Sequence, residues 1–178
     1  RFGMGKGLFH IYYGEGKGKT TACAGLAMRM AGSGGRVLYA FMQKGVKSSE
    51  VRLMEKIEGI DVFQVCKITK FTHLLSDSER AEYNRQHKDG WEKILDMADT
   101  GQYNMVVVDE MLGALKEGAI GLDDVMEVVL DDNRGYELVF SGREAPGRII
   151  EAADYASRIE EVKHPYTRGI KGRKGIEF

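Results

Sequence analysis

Short apolar segments that alternate with helical patterns predict an α/β fold, with a mostly parallel sheet flanked by helices. Runs rich in β-branched and aromatic residues are separated by segments long enough for a crossover helix, which is the arrangement of βαβ units. One run, Met105–Val108, is apolar at every position, as expected of a central strand with both faces covered. A chain of 178 residues is long enough for one buried core, so residues 1–178 are predicted to form a single domain.

The N-terminal part of the chain is predicted to contain three strands and two helices. Strands are favoured where aromatic and β-branched residues cluster. The first helix is rich in Ala, Leu and Met, and the glycines that follow it end helices readily. The predicted order is strand Gly7–Tyr13, helix Thr20–Met30, strand Arg36–Met42, helix Ser49–Ile57 and strand Asp61–Val65.

The C-terminal part is predicted to begin with a loop, Lys67–Leu75, which has no clear period. The S-x-x-E spacing from Ser76 has the form of a capping box and predicts the start of a long helix. Trp91 falls on the apolar face of that helix, so it is expected in the core. The remaining predicted elements are strand Met105–Val108, a helical stripe over Leu122–Val129, strand Tyr136–Phe140, helix Gly147–Tyr155 and a last strand Arg158–Val162.

Net charge, apolar runs and cysteine spacing indicate which partners and which cellular compartment to expect. The formal net charge is −1, which gives no overall electrostatic reason to bind nucleic acid or an anionic membrane. No apolar run approaches the roughly 20 residues needed to span a bilayer. The two cysteines, Cys23 and Cys66, lack the spacing of a disulfide framework or a zinc site. We therefore expect a cytoplasmic protein with neither a nucleic-acid nor a membrane partner.

A glycine-rich loop, GEGKGKTT, connects the first predicted strand to the first predicted helix. This context predicts an ATP-binding phosphate loop and a P-loop NTPase-like, RecA-like version of the α/β fold. The glycines are expected to turn backbone N–H groups toward the phosphates, Lys19 to bring a full charge and Thr20 a hydroxyl for Mg²⁺. The strict pattern is not met, because Tyr13 stands where the first glycine is usual. The predicted ATP-binding residues are Gly14, Glu15, Gly16, Lys17, Gly18, Lys19, Thr20 and Thr21.

Two acids, Asp109 and Glu110, directly follow the most apolar strand. In phosphate-loop proteins an acid at this place holds Mg²⁺, directly or through water. If the strand continues to Glu110, the two side chains point to opposite faces, so one of them is expected to serve the metal. The alternative is that they cap the following helix. The predicted Mg²⁺ site comprises Thr20, Asp109 and Glu110.

No residue pattern marks a hydrolase. A phosphate-loop hydrolase needs a group that orients water, and many need an arginine finger. Neither has an obvious signature here, and Arg29 and Arg143 are no more than candidates. From these residues alone, a phosphate-loop ATPase or small-molecule kinase remains a possible function.

Further motifs follow the phosphate loop in a defined order. They are Arg29 in the next helix, MVVVDE at 105–110, SGREAP at 141–146, KHPY at 163–166 and the ending KGIEF. With the shortened glycine spacing of GEGKGKTT, this ordered set resembles the ATP:corrinoid adenosyltransferases, which act on cob(I)alamin and related corrinoids. The resemblance extends from about Leu8 to the C-terminus.

The resemblance implies an enzyme that uses ATP and a corrinoid as its substrates. Co(I) attacks the 5′ carbon of ATP, forms a Co–C bond and releases tripolyphosphate. Such a metal nucleophile needs no general base, which agrees with the missing hydrolase signature. The resemblance also implies Mg²⁺, an electron donor such as a flavin or flavoprotein, and a homodimer.

The resemblance further implies roles for individual residues. Relatives place aromatic residues of a mobile loop against the lower face of the corrinoid, and the matching stretch here is Lys67–Leu75. Phe71 holds one aromatic position, and His73 stands where relatives carry Trp. Arg29 corresponds to an arginine near the nucleotide, and Arg143 to one near the corrinoid. Lys19 and Phe71 are thus the predicted catalytic residues, and Phe71, His73 and Arg143 the predicted corrinoid-binding residues.

One further alternative is a protein that holds adenosylated corrinoid for delivery and is gated by nucleotide. Such a carrier would bind the product tightly without turnover.

Overall fold

The computed structural model describes residues 6–42, 49–68, 70 and 72–177. Its six strands are β1 Phe9–Tyr13, β2 Val37–Phe41, β3 Ile60–Gln64, β4 Met105–Asp109, β5 Glu137–Gly142 and β6 Tyr155–Arg158. The helices are α1 Lys19–Gly32, α2 Ser49–Met54, α3 Asp77–Ala98, α4 Met111–Lys116, α5 Leu122–Val129 and α6 Gly147–Ala152. Two short 3-10 helices, Thr72–Leu74 and Pro165–Arg168, lie outside this alternation.

The six strands form one sheet in the order β3-β2-β4-β5-β1-β6, and every neighbouring pair is parallel. The predicted α/β class is confirmed. β4 lies between β2 and β5, and all five of its residues are buried, as its continuous apolar run predicts.

Alternate residues along the strands divide the core between the two faces of the sheet. Val106 and Val108 of β4 pack with residues of α3, α4, α5 and α6. Met105 and Val107 pack on the opposite face with α1 and α2. This is the period of two that a strand imposes, with one set of side chains on each face.

The start of α3 and the position of Trp91 agree with the sequence. The Ser76 side chain accepts a hydrogen bond from the Glu79 amide, and Glu79 accepts one from the Ser76 amide, so the capping box is complete. Trp91 is 4% exposed and belongs to the core.

The predicted boundaries near residue 155 are wrong. Helix α6 ends at Ala152, and the last strand is β6, not Arg158–Val162. The physical reason is a contact between distant residues: the amide of Asp154 donates to the Phe9 carbonyl at 2.9 Å, and Asp154 Oδ2 accepts from the Phe9 amide at 2.7 Å. These bonds start the pairing with β1 three residues earlier than the local pattern indicates.

No helix within the described ranges is both long and apolar enough to cross a bilayer.

Candidate functional site

The glycine loop after β1 and the predicted acids after β4 converge at the carboxyl edge of the sheet. Because all six strands are parallel, the loop after β1, the acid at the end of β4 and Ser141 near the end of β5 meet at one edge. In open α/β sheets this is the edge at which ligands bind.

Residues 14–18 form a loop tied to neighbouring backbone. Gly14 has φ 112°, and a Cβ there would lie 2.3 Å from the Ile159 carbonyl oxygen, so both conformation and space require glycine. Its amide donates to the Arg143 carbonyl, and the Gly16 amide donates to the Ile159 carbonyl, each at 2.9 Å. These two amides thus fix the loop against the segments after β5 and β6.

The amino end of α1 follows this loop. Gly18 adopts φ 117°, no side chain caps the helix in the described part of the chain, and its first turn contains no acid. The helix dipole and uncapped amides of such an end favour an anion. Lys19 Nζ donates to the Gly16 carbonyl at 2.7 Å, which folds the ammonium over the loop.

Asp109 is buried at the end of β4 and joins two hydroxyl groups. Its Oδ1 accepts hydrogen bonds from Thr20 Oγ1, at 3.3 Å, and from Ser141 Oγ. The contact between Thr20 and Asp109 brings together two groups predicted as Mg²⁺ ligands, although 89 residues separate them in the chain.

Glu110 begins the turn into α4 with φ 62°, the one non-glycine residue with positive φ among the described residues. Its amide donates to Ser141 Oγ at 2.9 Å, and its side chain makes no helix-capping hydrogen bond. The alternative that it caps the following helix is thus not confirmed. Instead, Glu110 lines the same cavity as Lys19 and Thr20.

The two acids act on buried groups near the site. Burial raises the pKa of the Cys23 thiol, and the charges of Asp109 and Glu110 raise it further. Burial also raises the pKa of Tyr39, with Asp109 again adding to the effect. Both groups therefore stay protonated at neutral pH, and the two acids give the floor of the site a negative potential that suits a cation.

Oxygen donors at this floor fit Mg²⁺. The Thr20 hydroxyl and the Asp109 carboxylate lie within hydrogen-bond distance of each other, and Glu110 lines the cavity beside them. Hard cations of this size prefer oxygen ligands and take only one or two carboxylates from the protein, with the remaining positions filled by phosphate oxygens and water. Thr20 and Asp109 would hold the ion.

Two open cavities share the loop. One, of about 700 Å³, runs from the loop along the outer face of α1 and reaches Gly175–Glu177. The other, of about 500 Å³, lies toward His164 and Tyr166. Lys17, Lys19 and Arg143 line both. Residues of the KHPY motif line the smaller cavity, and residues of the KGIEF motif line the larger one. Sequence analysis identified both motifs, but nothing in their local pattern indicates that they lie beside the predicted phosphate loop.

The predicted arginines lie in different places. Arg143 contacts the loop, with Nη1 3.3 Å from Glu15 Oε2, and both side chains are exposed. Arg29 is exposed in the last turn of α1, where its charge acts on Tyr12, and it does not line either cavity. The roles predicted for both stay predictions.

The predicted corrinoid segment is anchored at one point. Phe71 lies outside the described residues, and His73 lies exposed in the 3-10 helix Thr72–Leu74. Arg80 Nη2 donates to the Thr72 carbonyl at 2.7 Å, and Thr72 Oγ1 donates to Glu117 Oε1 at 3.2 Å. His73 does not line the cavities at the phosphate loop.

Comparison with known proteins identifies a matching family and several similar proteins. The model of the family described as ATP:corrinoid adenosyltransferase BtuR/CobO/CobP matches residues 5–178. A corrinoid adenosyltransferase of Sinorhizobium sp is 32% identical over 176 residues, which cover 97% of this chain and 81% of the relative. The corrinoid adenosyltransferase of Escherichia coli K12 is 28% identical over 174 residues, which cover 97% and 86%. The corrinoid adenosyltransferase CobA of Salmonella typhimurium is 29% identical over 174 residues, with the same coverage.

Among solved structures, the cytoplasmic domain of EssC is similar in fold. The TM-score is 0.50 at 14% identity, and the match covers 94% of this chain and 34% of that one. At this identity the likeness supports the α/β fold alone.

Proposed function

The chain belongs to the ATP:corrinoid adenosyltransferase family, and we propose that its site transfers the 5′-deoxyadenosyl group of ATP to the Co(I) of cob(I)alamin or a related corrinoid, releasing tripolyphosphate. The observation that carries the proposal is the convergence of the Lys19 loop, Thr20 and Asp109 at one edge of the sheet, in a chain that matches the family over residues 5–178.

In the proposed reaction the protein stabilises a leaving group. The electron pair of Co(I) forms the Co–C bond at C5′, while the C5′–O bond breaks and its electrons pass to the triphosphate oxygen. Lys19 and the uncapped amides of α1 oppose the charge that develops on that oxygen. Mg²⁺ held by Thr20 and Asp109 would supply further positive charge there.

No group in this scheme has to activate water. Asp109 is buried and accepts hydrogen bonds from Thr20 and Ser141, so these contacts hold it in place and it is not available to activate water. The remaining requirement is to bring C5′ and cobalt into line. We propose that the segment with Phe71 and His73 holds the corrinoid, that a flavin or flavoprotein supplies the electron for Co(I), and that the enzyme works as a homodimer in the cytoplasm.

The test is an anaerobic assay with ATP, Mg²⁺ and pre-reduced cob(I)alamin. The corrinoid absorbance spectrum should change to that of the adenosylated product, with one tripolyphosphate formed per Co–C bond. Formation of ADP and phosphate without corrinoid would instead identify a phosphate-loop ATPase or kinase. Tight binding of adenosylated corrinoid without turnover would identify a carrier.

A further inference from the structure

The segment Arg173–Glu177, near the C-terminus, folds back onto the phosphate loop. Ile176 and Glu177 line the larger cavity together with Lys19 and Thr20. At about 700 Å³ this cavity falls within the ~300–1,000 Å³ of ligand pockets in proteins. Nothing in the reaction scheme above uses these C-terminal side chains.

Arg173 holds the Glu177 carboxylate in one orientation. The Arg173 amide donates to Oε2 at 2.7 Å, and the guanidinium donates to Oε2 at 3.3 Å and to Oε1 at 3.1 Å. The Glu177 and Ile176 amides both donate back to the Arg173 carbonyl. As a result, the Glu177 side chain is only 20% exposed, although it lies beside the chain end. A flexible surface glutamate would not be held by so many bonds.

The ionised carboxylate of Glu177 can act only as a hydrogen-bond acceptor. Hydrogen bonds from Arg173 lower the pKa of Glu177, and the charge of Lys17 lowers it further, so the group is ionised at neutral pH. Among the described residues Oε1 receives one of these bonds, which leaves acceptor capacity on that oxygen. The two nearby cations also offset the repulsion that a carboxylate would otherwise exert on a triphosphate.

The cavity changes character along its length. Thr20, Ala24 and Met28 lie on one face of α1, and the eight residue steps from Thr20 to Met28 span about 12 Å. The loop lysines line the cavity at the start of α1, Met28 lies two turns along this helix at 49% exposure, and Ile176, at 54% exposure, adds a second exposed apolar side chain to the lining. This gradient matches a triphosphate at one end and a purine base at the other.

We infer that Glu177 accepts a hydrogen bond from a ribose hydroxyl of ATP, with Ile176 and Met28 flanking the base. An ionised carboxylate cannot bond the phosphates, so the available donors of ATP are the ribose hydroxyls and the 6-amino group. The ribose adjoins the phosphates, and Glu177 shares the cavity with Lys17 and feels its charge, whereas the base suits the apolar side chains. Glu177 would thereby fix the sugar whose C5′ reacts. The inference rests on ATP being the substrate.

The test is calorimetric binding, with Mg²⁺ present, of ATP, 2′-deoxyATP, 3′-deoxyATP, ITP and tripolyphosphate. A hydrogen bond to a charged acceptor corresponds to about tenfold to a hundredfold in affinity. Wild-type protein should therefore prefer ATP over at least one deoxy analogue by that factor. Glu177→Ala should bind ATP and that analogue equally, while its affinity for tripolyphosphate, which has no ribose, should not fall. Arg173→Ala should lose part of the preference, because the carboxylate remains but is no longer held.

Glu127→Ala, at an exposed glutamate of α5, is the matched control and should bind like wild type. A Glu177→Ala variant that keeps the wild-type preference for ATP over both deoxy analogues would overturn the inference. The inference would also be overturned if Glu177→Ala lost only the preference for ATP over ITP, because Glu177 would then contact the base and not the ribose. Wild-type protein that binds neither ATP nor tripolyphosphate would instead overturn the proposed function, and the inference with it.

Discussion

Lys19 folds over its own loop, with Nζ 2.7 Å from the Gly16 carbonyl oxygen. A phosphate oxygen is a stronger acceptor for an ammonium than a neutral carbonyl, because both partners are then charged. The rigid tethering of Gly14 and Gly16 keeps the loop in place while the lysine changes partner. Lys19 therefore has both the charge and the position to follow the leaving triphosphate.

Lys19→Ala should lower kcat/KM for ATP by about 10²–10³, the range for loss of one preorganised charge-stabilising group. The measurement is the initial rate of Co–C bond formation with pre-reduced corrinoid at several ATP concentrations. Lys88→Ala, at an exposed lysine on α3, serves as the control and should leave the rate unchanged. Turnover like wild type in Lys19→Ala would mean that the phosphate loop is misassigned.

Phe71→Ala should harm the route from cob(II)alamin far more than the route from pre-reduced cob(I)alamin. We propose that Phe71 occupies the lower face of the corrinoid in place of the lower axial ligand, which makes cobalt easier to reduce. That step is complete once Co(I) is supplied. Parallel assays from the two oxidation states measure the effect. Equal losses in both would contradict this role.

Local pattern predicted the residues of the phosphate loop and Asp109, but not the groups that support them. Lys19 and Thr20 follow from the loop motif, and Asp109 from the end of an apolar strand. Ser141, which bonds both Asp109 and the Glu110 amide, is 32 residues from Asp109 and has no local pattern that indicates this role. Glu177 lines the same cavity as Lys19 and Thr20, although more than 150 residues separate it from them in the sequence, so its place in the site depends on the tertiary structure.

At the scale of elements, α4 connects the proposed nucleotide site with the segment that contains His73. It begins just after Glu110 and ends beside Glu117, a length of about 9 Å for six residues. Glu117 receives hydrogen bonds from Thr72 and from Arg80, whose guanidinium also holds the Thr72 carbonyl. The segment is thus fixed to both α3 and α4.

Glu117→Ala should weaken corrinoid binding about threefold to tenfold, because the segment loses partly exposed bonds to Glu117 but keeps the bond from Arg80 to the Thr72 carbonyl. Affinity for tripolyphosphate should stay the same, because the phosphate loop is untouched. Corrinoid titration followed by absorbance gives the first value and calorimetry the second, with Glu92→Ala on α3 as control. A loss confined to tripolyphosphate would contradict this role.

The capping box of α3 predicts a pH dependence of stability. A hydrogen bond from Lys70, with further bonds from Ser76, lowers the pKa of Glu79 to about 2, against an ordinary value of 4.5. Because the folded pKa is depressed, the stabilisation is complete above about pH 4.5 and is lost as the pH falls toward 2.

Free energies of unfolding of wild type and Glu79→Gln should therefore converge as the pH falls from 5 to 2. A protonated glutamate and a glutamine are both neutral, so the two proteins become alike at the acid end. In a Lys70→Ala background the convergence should shrink, since Lys70 is the largest cause of the shift. A difference that is constant over this range would contradict the assignment.

At the scale of the whole molecule, the elements with the strongest patterns were predicted best. β4 is apolar throughout and α3 has a capping box, so both follow from local sequence. β6 was misplaced because all four of its residues are exposed and none marks a buried face. Its start is set by Asp154 and Phe9, which are 145 residues apart, and a local pattern does not contain that contact.

The two faces of the sheet share their strands, so the core clusters should unfold together. Val107 and Val108 are adjacent in β4 yet belong to opposite clusters, and losing either cluster exposes the same strand. The chain has a single tryptophan, Trp91, in the cluster formed with α3, so its fluorescence reports only that face. Far-UV circular dichroism reports the whole chain.

Met54→Ala tests this coupling from the opposite face. Met54 lies on α2, is 1% exposed and packs on the α1 side of the sheet, so truncation should destabilise the protein by about 2–5 kcal/mol. If the domain is one cooperative unit, urea unfolding followed by Trp91 fluorescence and by circular dichroism should shift to the same lower midpoint. Leu53→Ala, at the neighbouring side chain with 57% exposure, should move neither curve appreciably. A Trp91 transition that stays at the wild-type midpoint would mean that the two faces unfold independently.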